Sequence, residues 1–191
     1  MLTCTPPHLY TSVPSPIGRL LLCGDEERLS ALYTLPGSAN EALVEGRRRA
    51  DAPFARVREQ LDAYFAGERA EFDVPLDLET ATPFRRDVWS ALVEIPFGTT
   101  VSYGELARRL GVPTAARAVG AANGSNPISI IVPCHRVIGS AGGLTGYAGG
   151  LERKRYLLRH ESEVLTGRSP NEARPPRQDI VEGAALGHDR K

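Results

Sequence analysis

Residues 99–137 read TTVSYGELARRLGVPTAARAVGAANGSNPISIIVPCHRV, and the punctuation of this stretch decides which kind of fold the chain carries. Ser102-Tyr103-Gly104-Glu105 has the pattern of a capping box, which satisfies the first orphan N–H groups of a helix, so a short helix is expected from Tyr103 to Leu110. Gly111 ends it and Pro113 follows. Thr114 is then placed to cap a second helix from Ala115 to about Asn123, closed by Gly124. Two short helices joined by Gly111-Val112-Pro113-Thr114 have the dimensions of a helix-turn-helix. The second helix carries Arg117 and Asn123 among Ala115, Ala116, Ala118, Gly120, Ala121 and Ala122. Side chains this small permit close approach to an outside surface or close packing inside the protein, and the residues alone allow either. Ile128 to Val132 is a β-branched apolar run, expected as a buried strand that delivers the chain into Pro133-Cys134-His135-Arg136-Val137.

Upstream, Thr82 is an N-cap, Pro83 occupies the first helical position, and Phe84, Val88, Ala91, Leu92 and Ile95 form one apolar face. Pro96-Phe97-Gly98 stops that helix. Nearer the N-terminus, Ser15-Pro16-Ile17-Gly18 is a turn. Leu20 to Cys23 and Leu29 to Thr34 are short strands, and Pro36-Gly37 ends the second. Phe54, Val57, Leu61, Tyr64 and Phe65 have helical spacing, closed by Gly67. Phe72 to Leu78 is extended, and Asp77 to Ala81 is a connector. Downstream of the cysteine lies a loop with Gly139, Gly142, Gly143, Gly146, Gly149 and Gly150 around Tyr147. A last helix follows from Leu151 to His160, with Leu157 and Leu158 facing in. The expected organisation is α/β (α+β): a small α/β domain over residues 1–80, a mainly helical domain over 82–162, and a disordered tail over 163–191, rich in Arg, Pro, Gly and Glu.

The chain has 191 residues, 41% of them hydrophobic and 24% charged, with no apolar run long enough to span a bilayer. Three cysteines, Cys4, Cys23 and Cys134, are too sparse and odd a set for a disulfide framework, and no secretory signal is visible, so a reducing, cytoplasmic setting is expected. The formal net charge of zero conceals an asymmetry. Residues 99–160 hold eight Lys/Arg against two acids, while the rest holds fifteen against twenty-one. A basic module of this kind suits a phosphate backbone, and equally suits a solvated face.

Cys134, between a proline and a histidine, is a candidate nucleophile. The attacking species is the thiolate, so His135 is a candidate base and Arg136 a source of positive charge. If the segment is extended, adjacent side chains point apart, and His135 reaches the sulfur only where the chain turns or a water bridges them. A cysteine can also be simply a small buried hydrophobe. Cys4, His8 and Cys23 match no closed tetrahedral metal pattern, so no metal is expected.

Taken in order, the Tyr103 helix, Ala116-Arg117-Ala118-Val119-Gly120, Asn126-Pro127, Pro133-Cys134-His135-Arg136-Val137 and Gly146-Tyr147-Ala148-Gly149-Gly150 resemble the O6-alkylguanine-DNA alkyltransferases. The resemblance covers most of residues 84–161. It extends more weakly to Ser15-Pro16-Ile17-Gly18 and Ala63-Tyr64-Phe65. It implies a ribonuclease-H-like N-terminal domain and a winged-helix-like C-terminal one. It also implies irreversible, single-turnover transfer of the alkyl group from O6-alkylguanine, and from O4-alkylthymine, in duplex DNA to Cys134, with no cofactor. By the same resemblance His135 takes the thiol proton through a water, Glu161, after the last helix, orients His135, and Asn126 braces the turn before the cysteine. Tyr103 donates to the departing guanine. Arg117 fills the gap left by the extruded nucleotide, with Tyr103, Ala116, Ala121 and Asn123 also facing DNA. Val137, Tyr147 and Ala148 line the base pocket. The implied partner is double-stranded DNA rather than a membrane, and the implied state is a monomer, with cooperative binding on DNA left open. Two other readings use the same residues: a DNA-binding regulator or lesion sensor that transfers nothing, and a cysteine hydrolase working through an acyl intermediate.

Overall fold

The computed structural model describes residues 9–34, 44–78 and 81–167. Cys4, His8, the Pro36-Gly37 turn and the tail from residue 168 onward lie outside the described residues. Strand β1, Leu9–Val13, alternates buried Leu9, Thr11 and Val13 with half-buried Tyr10 and Ser12, the period of a strand with one covered face. Strands β2, Leu20–Gly24, and β3, Leu29–Thr34, follow as an antiparallel meander. Strand β4, Arg48–Arg49, adds in parallel to β1, giving the order β3-β2-β1-β4. Helix α1, Ala55–Ala66, turns Val57, Leu61 and Tyr64 into the core and ends on Gly67 at φ 79°.

The second half begins with helix α2, Pro83–Val93, whose Thr82 hydroxyl accepts from the Arg85 N–H at 3.4 Å. A two-residue strand, β5 (Val101–Ser102), leads into helix α3, Tyr103–Arg109, capped by Ser102 Oγ accepting from Glu105 N–H at 3.1 Å. Helix α4 spans Ala116–Gly124. A single 3-10 turn, Cys134–Arg136, runs into β6, Val137–Ile138, which pairs in parallel with β5. Helix α5, Leu151–Leu165, closes the described chain. A small sheet domain and a helical domain thus make up a mixed α/β fold, as expected.

Backbone hydrogen bonds join the halves. The outer edge of β3 would otherwise present unpaired N–H and C=O groups. Leu29 instead bonds Pro75 and Asp77, and Leu32 bonds Pro127 and Ser129, at 2.9–3.0 Å. The segment that leads to Cys134 is therefore fixed to the N-terminal sheet. The core runs without a break through both halves, from Leu20 and Leu32 to Val88, Leu106, Val132 and Leu157.

Several local expectations differ from what forms. Residues 128–132 are buried but are not a strand: Ile131 N bonds Ser129 O, Val132 N bonds Ile128 O, and Ile130 sits at φ 73°. The cause is Asn126, whose amide oxygen accepts from Ile128 N–H at 3.0 Å while its amide nitrogen donates to Val132 O at 2.8 Å, drawing the run into successive turns. Thr114 does not cap α4, which starts at Ala116 after Ala115 with no side-chain cap. The Glu105 carboxylate pairs with Arg109 at 2.5 Å, so the Ser102 half of the capping box is the half that forms. On α2, Phe84 is 37% exposed, and Trp89 takes a place in the core. Leu158 is only half buried. The last helix continues past His160 to Leu165, beyond the expected start of the tail, and Glu161 lies within it rather than after it.

Candidate active site

The cysteine turn is assembled from below. Cys134 N–H bonds Val132 O at 2.8 Å and Arg136 N–H bonds Pro133 O at 3.0 Å, so the chain turns at the cysteine and the extended geometry does not arise. Cys134 is 5% exposed, at the junction of the Asn126 turns, the β5–β6 pair and α5. Burial pushes its thiol up; the Asn126 hydrogen bond and the Lys154 charge act against that rise. The resting sulfur therefore holds its proton and needs a base to become a nucleophile.

The candidate base is set in a buried network. His135 Nε2 lies 2.9 Å from Glu161 Oε1. Glu161 also accepts from Arg136 Nε and Nη2, from the Gly98 N–H at 2.9 Å, and from the Tyr64 hydroxyl at 2.9 Å. Burial alone would raise the Glu161 carboxyl. The hydrogen bonds and charges of His135 and Arg136 outweigh it and hold the group at about 2. Arg136 already balances this carboxylate, so the imidazole is not needed as a cation, and burial holds His135 below its ordinary value. A neutral imidazole that donates from Nε2 keeps its lone pair on Nδ1, which has no protein hydrogen-bond partner among the described residues.

Arg136 thus does something other than charge the thiol's surroundings: it clamps Glu161 and donates to Ile95 O at 2.6 Å. The cation near the sulfur is Lys154, which sequence reasoning missed. Its ammonium is buried and donates to Val137 O at 2.6 Å and to Thr145 O at 2.8 Å, tying the cysteine turn to the glycine-rich loop. A signal existed. Lys154, Leu157 and Glu161 recur every three or four residues, so a lysine and a glutamate lie on the inward stripe of an amphipathic helix.

Tyr103 packs its ring against Gly120, whose position would put a Cβ 3.6 Å from it, and donates from its hydroxyl to Thr145 O at 3.2 Å. Burial raises its phenol, which keeps its proton. Gly146, at φ 54°, faces the same hydroxyl; a Cβ there would stand 3.4 Å away. Gly149 is required by space, since a Cβ would meet Thr34 Oγ1 at 2.3 Å and the Tyr147 ring at 2.7 Å. Val137 is buried, Tyr147 half buried and Ala148 exposed. Arg117 and Ala121 are exposed on α4, with Ala116 half buried beside them. Asn123 departs from expectation. It is 2% exposed and points inward, its amide nitrogen donating to Cys134 O at 3.4 Å, so it is not a surface contact.

Among the described residues no group of three or more His, Cys, Asp or Glu is placed to hold a metal ion, and no helix is long and apolar enough to cross a membrane. Residues 8–78 match the model of the 6-O-methylguanine DNA methyltransferase ribonuclease-like domain, and residues 83–163 match that family's DNA-binding domain. The chain belongs to the 6-O-methylguanine DNA methyltransferase family. Among methylated-DNA–protein-cysteine methyltransferases, that of Mycolicibacterium paratuberculosis is 52% identical over 161 residues, covering 82% of this chain and 96% of the relative. The one from Salmonella typhimurium is 48% identical over 169 residues, covering 82% and 97%. The fold resembles the crystal structure of Mycobacterium tuberculosis OGT in complex with DNA, with a TM-score of 0.75 and 51% identity over 82% of this chain and 94% of that one. Family membership makes this protein a DNA-repair methyltransferase whose acceptor is a protein cysteine.

Proposed function

We propose that Cys134 is the acceptor, and that it takes the alkyl group of O6-alkylguanine, and of O4-alkylthymine, from duplex DNA once and irreversibly. The observation that carries this is the Cys134–His135–Glu161 arrangement: a buried thiol that burial keeps protonated, followed in the same turn by an imidazole that burial keeps neutral and whose Nε2 is held by an ionised carboxylate. His135 takes the thiol proton, directly or through a water. The S–C bond forms as the C–O6 bond breaks, and the electron pair leaves on guanine. Tyr103 turns from Thr145 O to donate to the guanine as charge develops, and the proton held on His135 returns to the released base. Lys154 offsets the thiolate charge in the meantime. The product thioether has no carbonyl for water to attack, so the thiol is not regenerated and no cofactor is called for.

A base inside a duplex cannot present its O6 substituent to a buried sulfur, so the nucleotide must be flipped at a cost of a few kcal/mol. Helix α4 supports this step. Its exposed face carries Arg117 with Ala118, Ala121 and Gly124, a surface small enough to lie close to a groove while one long cation enters the stack. Val137, Tyr147 and Ala148 then border the base.

The test is mass spectrometry of the intact protein and its peptides after mixing with a duplex that carries one O6-methylguanine. The expected result is one methyl per protein, on the peptide that contains Cys134, with guanine restored in the DNA. Bound DNA with no mass gain would instead make the protein a lesion sensor.

A further inference from the structure

We propose that Tyr64, a residue of the N-terminal domain, is a positioning residue for alkyl transfer: its hydroxyl shares Glu161 Oε1 with His135 and thereby sets how strongly the carboxylate holds the imidazole. This role presupposes that Cys134, His135 and Glu161 act as described above.

Tyr64 is separated from Glu161 by 97 positions and comes from α1, in the half of the protein with no expected part in the chemistry. Its side chain is fully buried, with ring centroids 5.2 Å from Phe65, 5.4 Å from Phe72, 6.0 Å from Phe97 and 5.1 Å from His160. The aromatic cage fixes the ring, and the ring aims its hydroxyl at one oxygen. That oxygen, Oε1, accepts at 2.9 Å from Tyr64, from His135 Nε2 and from Arg136 Nη2. Oε2 is occupied by Gly98 N–H and Arg136 Nε. Arg136 Nε is shared between the two oxygens, 3.2 Å from Oε1; a carboxylate oxygen has two in-plane lone pairs, so the donors on Oε1 compete for the same charge. Each part of that charge drawn by Tyr64 is charge withheld from His135. Burial, and then the Glu161 charge, keep the phenol protonated, so it remains a donor.

The remaining groups that face this pair are accounted for. Arg136 comes from the cysteine turn, Lys154 and His160 from α5, and Tyr147 from the glycine-rich loop. His160 Nε2 bonds the Tyr64 carbonyl at 2.8 Å and so helps hold α1 in place. None of these takes the position of the Tyr64 hydroxyl on Oε1. Phenylalanine at position 64 would fill the same cage and remove this donor alone.

With the donor gone, Glu161 stabilises the imidazolium more strongly and the pKa of His135 rises. His135 must be neutral to accept the thiol proton, so the acid limb of the rate profile moves to higher pH, by about half to one unit for the loss of one neutral hydrogen bond. The experiment is single-turnover methyl transfer from O6-methylguanine duplex across about pH 5.5 to 9. It compares the full-length protein, Tyr64→Phe, and a protein with a ring-fluorinated tyrosine at position 64. Tyr64→Phe is expected to lose about three- to tenfold near pH 6 and little near pH 8. The fluorinated phenol, a stronger donor, is expected to shift the limb the opposite way. It keeps the hydroxyl, and so decides the matter even where phenylalanine lowers stability. Superimposable profiles for all three proteins, or one uniform loss at every pH together with a lower Tm, would overturn the inference. If the unsubstituted protein gains no methyl, the reading of Cys134 itself fails, and the role of Tyr64 with it.

Discussion

Asn126 holds more of the site than its size suggests. One side-chain amide satisfies Ile128 N–H and Val132 O, keeps Ile130 at a positive φ that a β-branched residue resists, and reaches the sulfur of Cys134 as a hydrogen-bond partner. Replacing it with alanine strands the buried Ile128 N–H, at a cost of roughly 1–3 kcal/mol, and leaves Val132 O with the Cys134 N–H alone. It also lets burial raise the thiol further. Asn126→Ala is therefore expected to lower the urea midpoint and to slow methyl transfer to Cys134 by more than about tenfold. A stability loss with an unchanged rate at a permissive temperature would separate the two effects and remove Asn126 from the chemistry. Residues of this kind divide by what can be read ahead of a structure. Cys134, His135 and Asn126 stand in one short stretch with recognisable neighbours. Asn123 stands in the same stretch, but its inward direction is set by packing; Lys154 and Tyr64 come from distant helices, and only the charged stripe of α5 betrayed one of them in the sequence.

At the scale of elements, the helical hairpin was legible because glycine, proline and a capping serine act locally, within one turn of the groups they satisfy. The run 128–132 differs because its β-branched composition favours a strand, while the Asn126 side chain takes Ile128 N–H and Val132 O and the run closes turns on itself, and these side-chain-to-backbone bonds outweigh propensity. Helix α4 presents Arg117 to solvent, while Trp89 and Val119 hold its other side. If Arg117 enters the stack, Arg117→Ala should slow repair of duplex DNA at least about tenfold while leaving reaction with free O6-alkylguanine base nearly unchanged. The comparison is of second-order rates on the two substrates. Equal losses on both would assign Arg117 to the pocket or to the fold.

For the whole molecule, Glu161 joins α1, α2's exit, the cysteine turn and α5 through one ionised group. Its carboxyl is held at about 2 against an ordinary 4.5, so its contribution to stability is fully present above about pH 4.5 and is lost as the pH falls toward 2. The linked energy is on the order of 3 kcal/mol. Urea midpoints of the wild type should fall more steeply between about pH 5 and pH 3 than those of Glu161→Gln, and parallel curves would show that the carboxylate is not specially stabilised. The same network makes the two halves depend on each other, together with the β3 edge and the Arg153 guanidinium, which donates to Ile17 O at 2.8 Å and to Gly149 O at 2.7 Å.

The sole tryptophan of the chain, Trp89, lies in the core of α2 and donates from its indole nitrogen to Ala122 O on α4 at 2.9 Å. Light absorbed at the red edge of the protein spectrum therefore reports on one indole, bonded to the backbone of the helix that carries Arg117. The emission of the unlabelled protein is a built-in gauge of how α4 sits on α2, and it can be followed in real time as DNA is added.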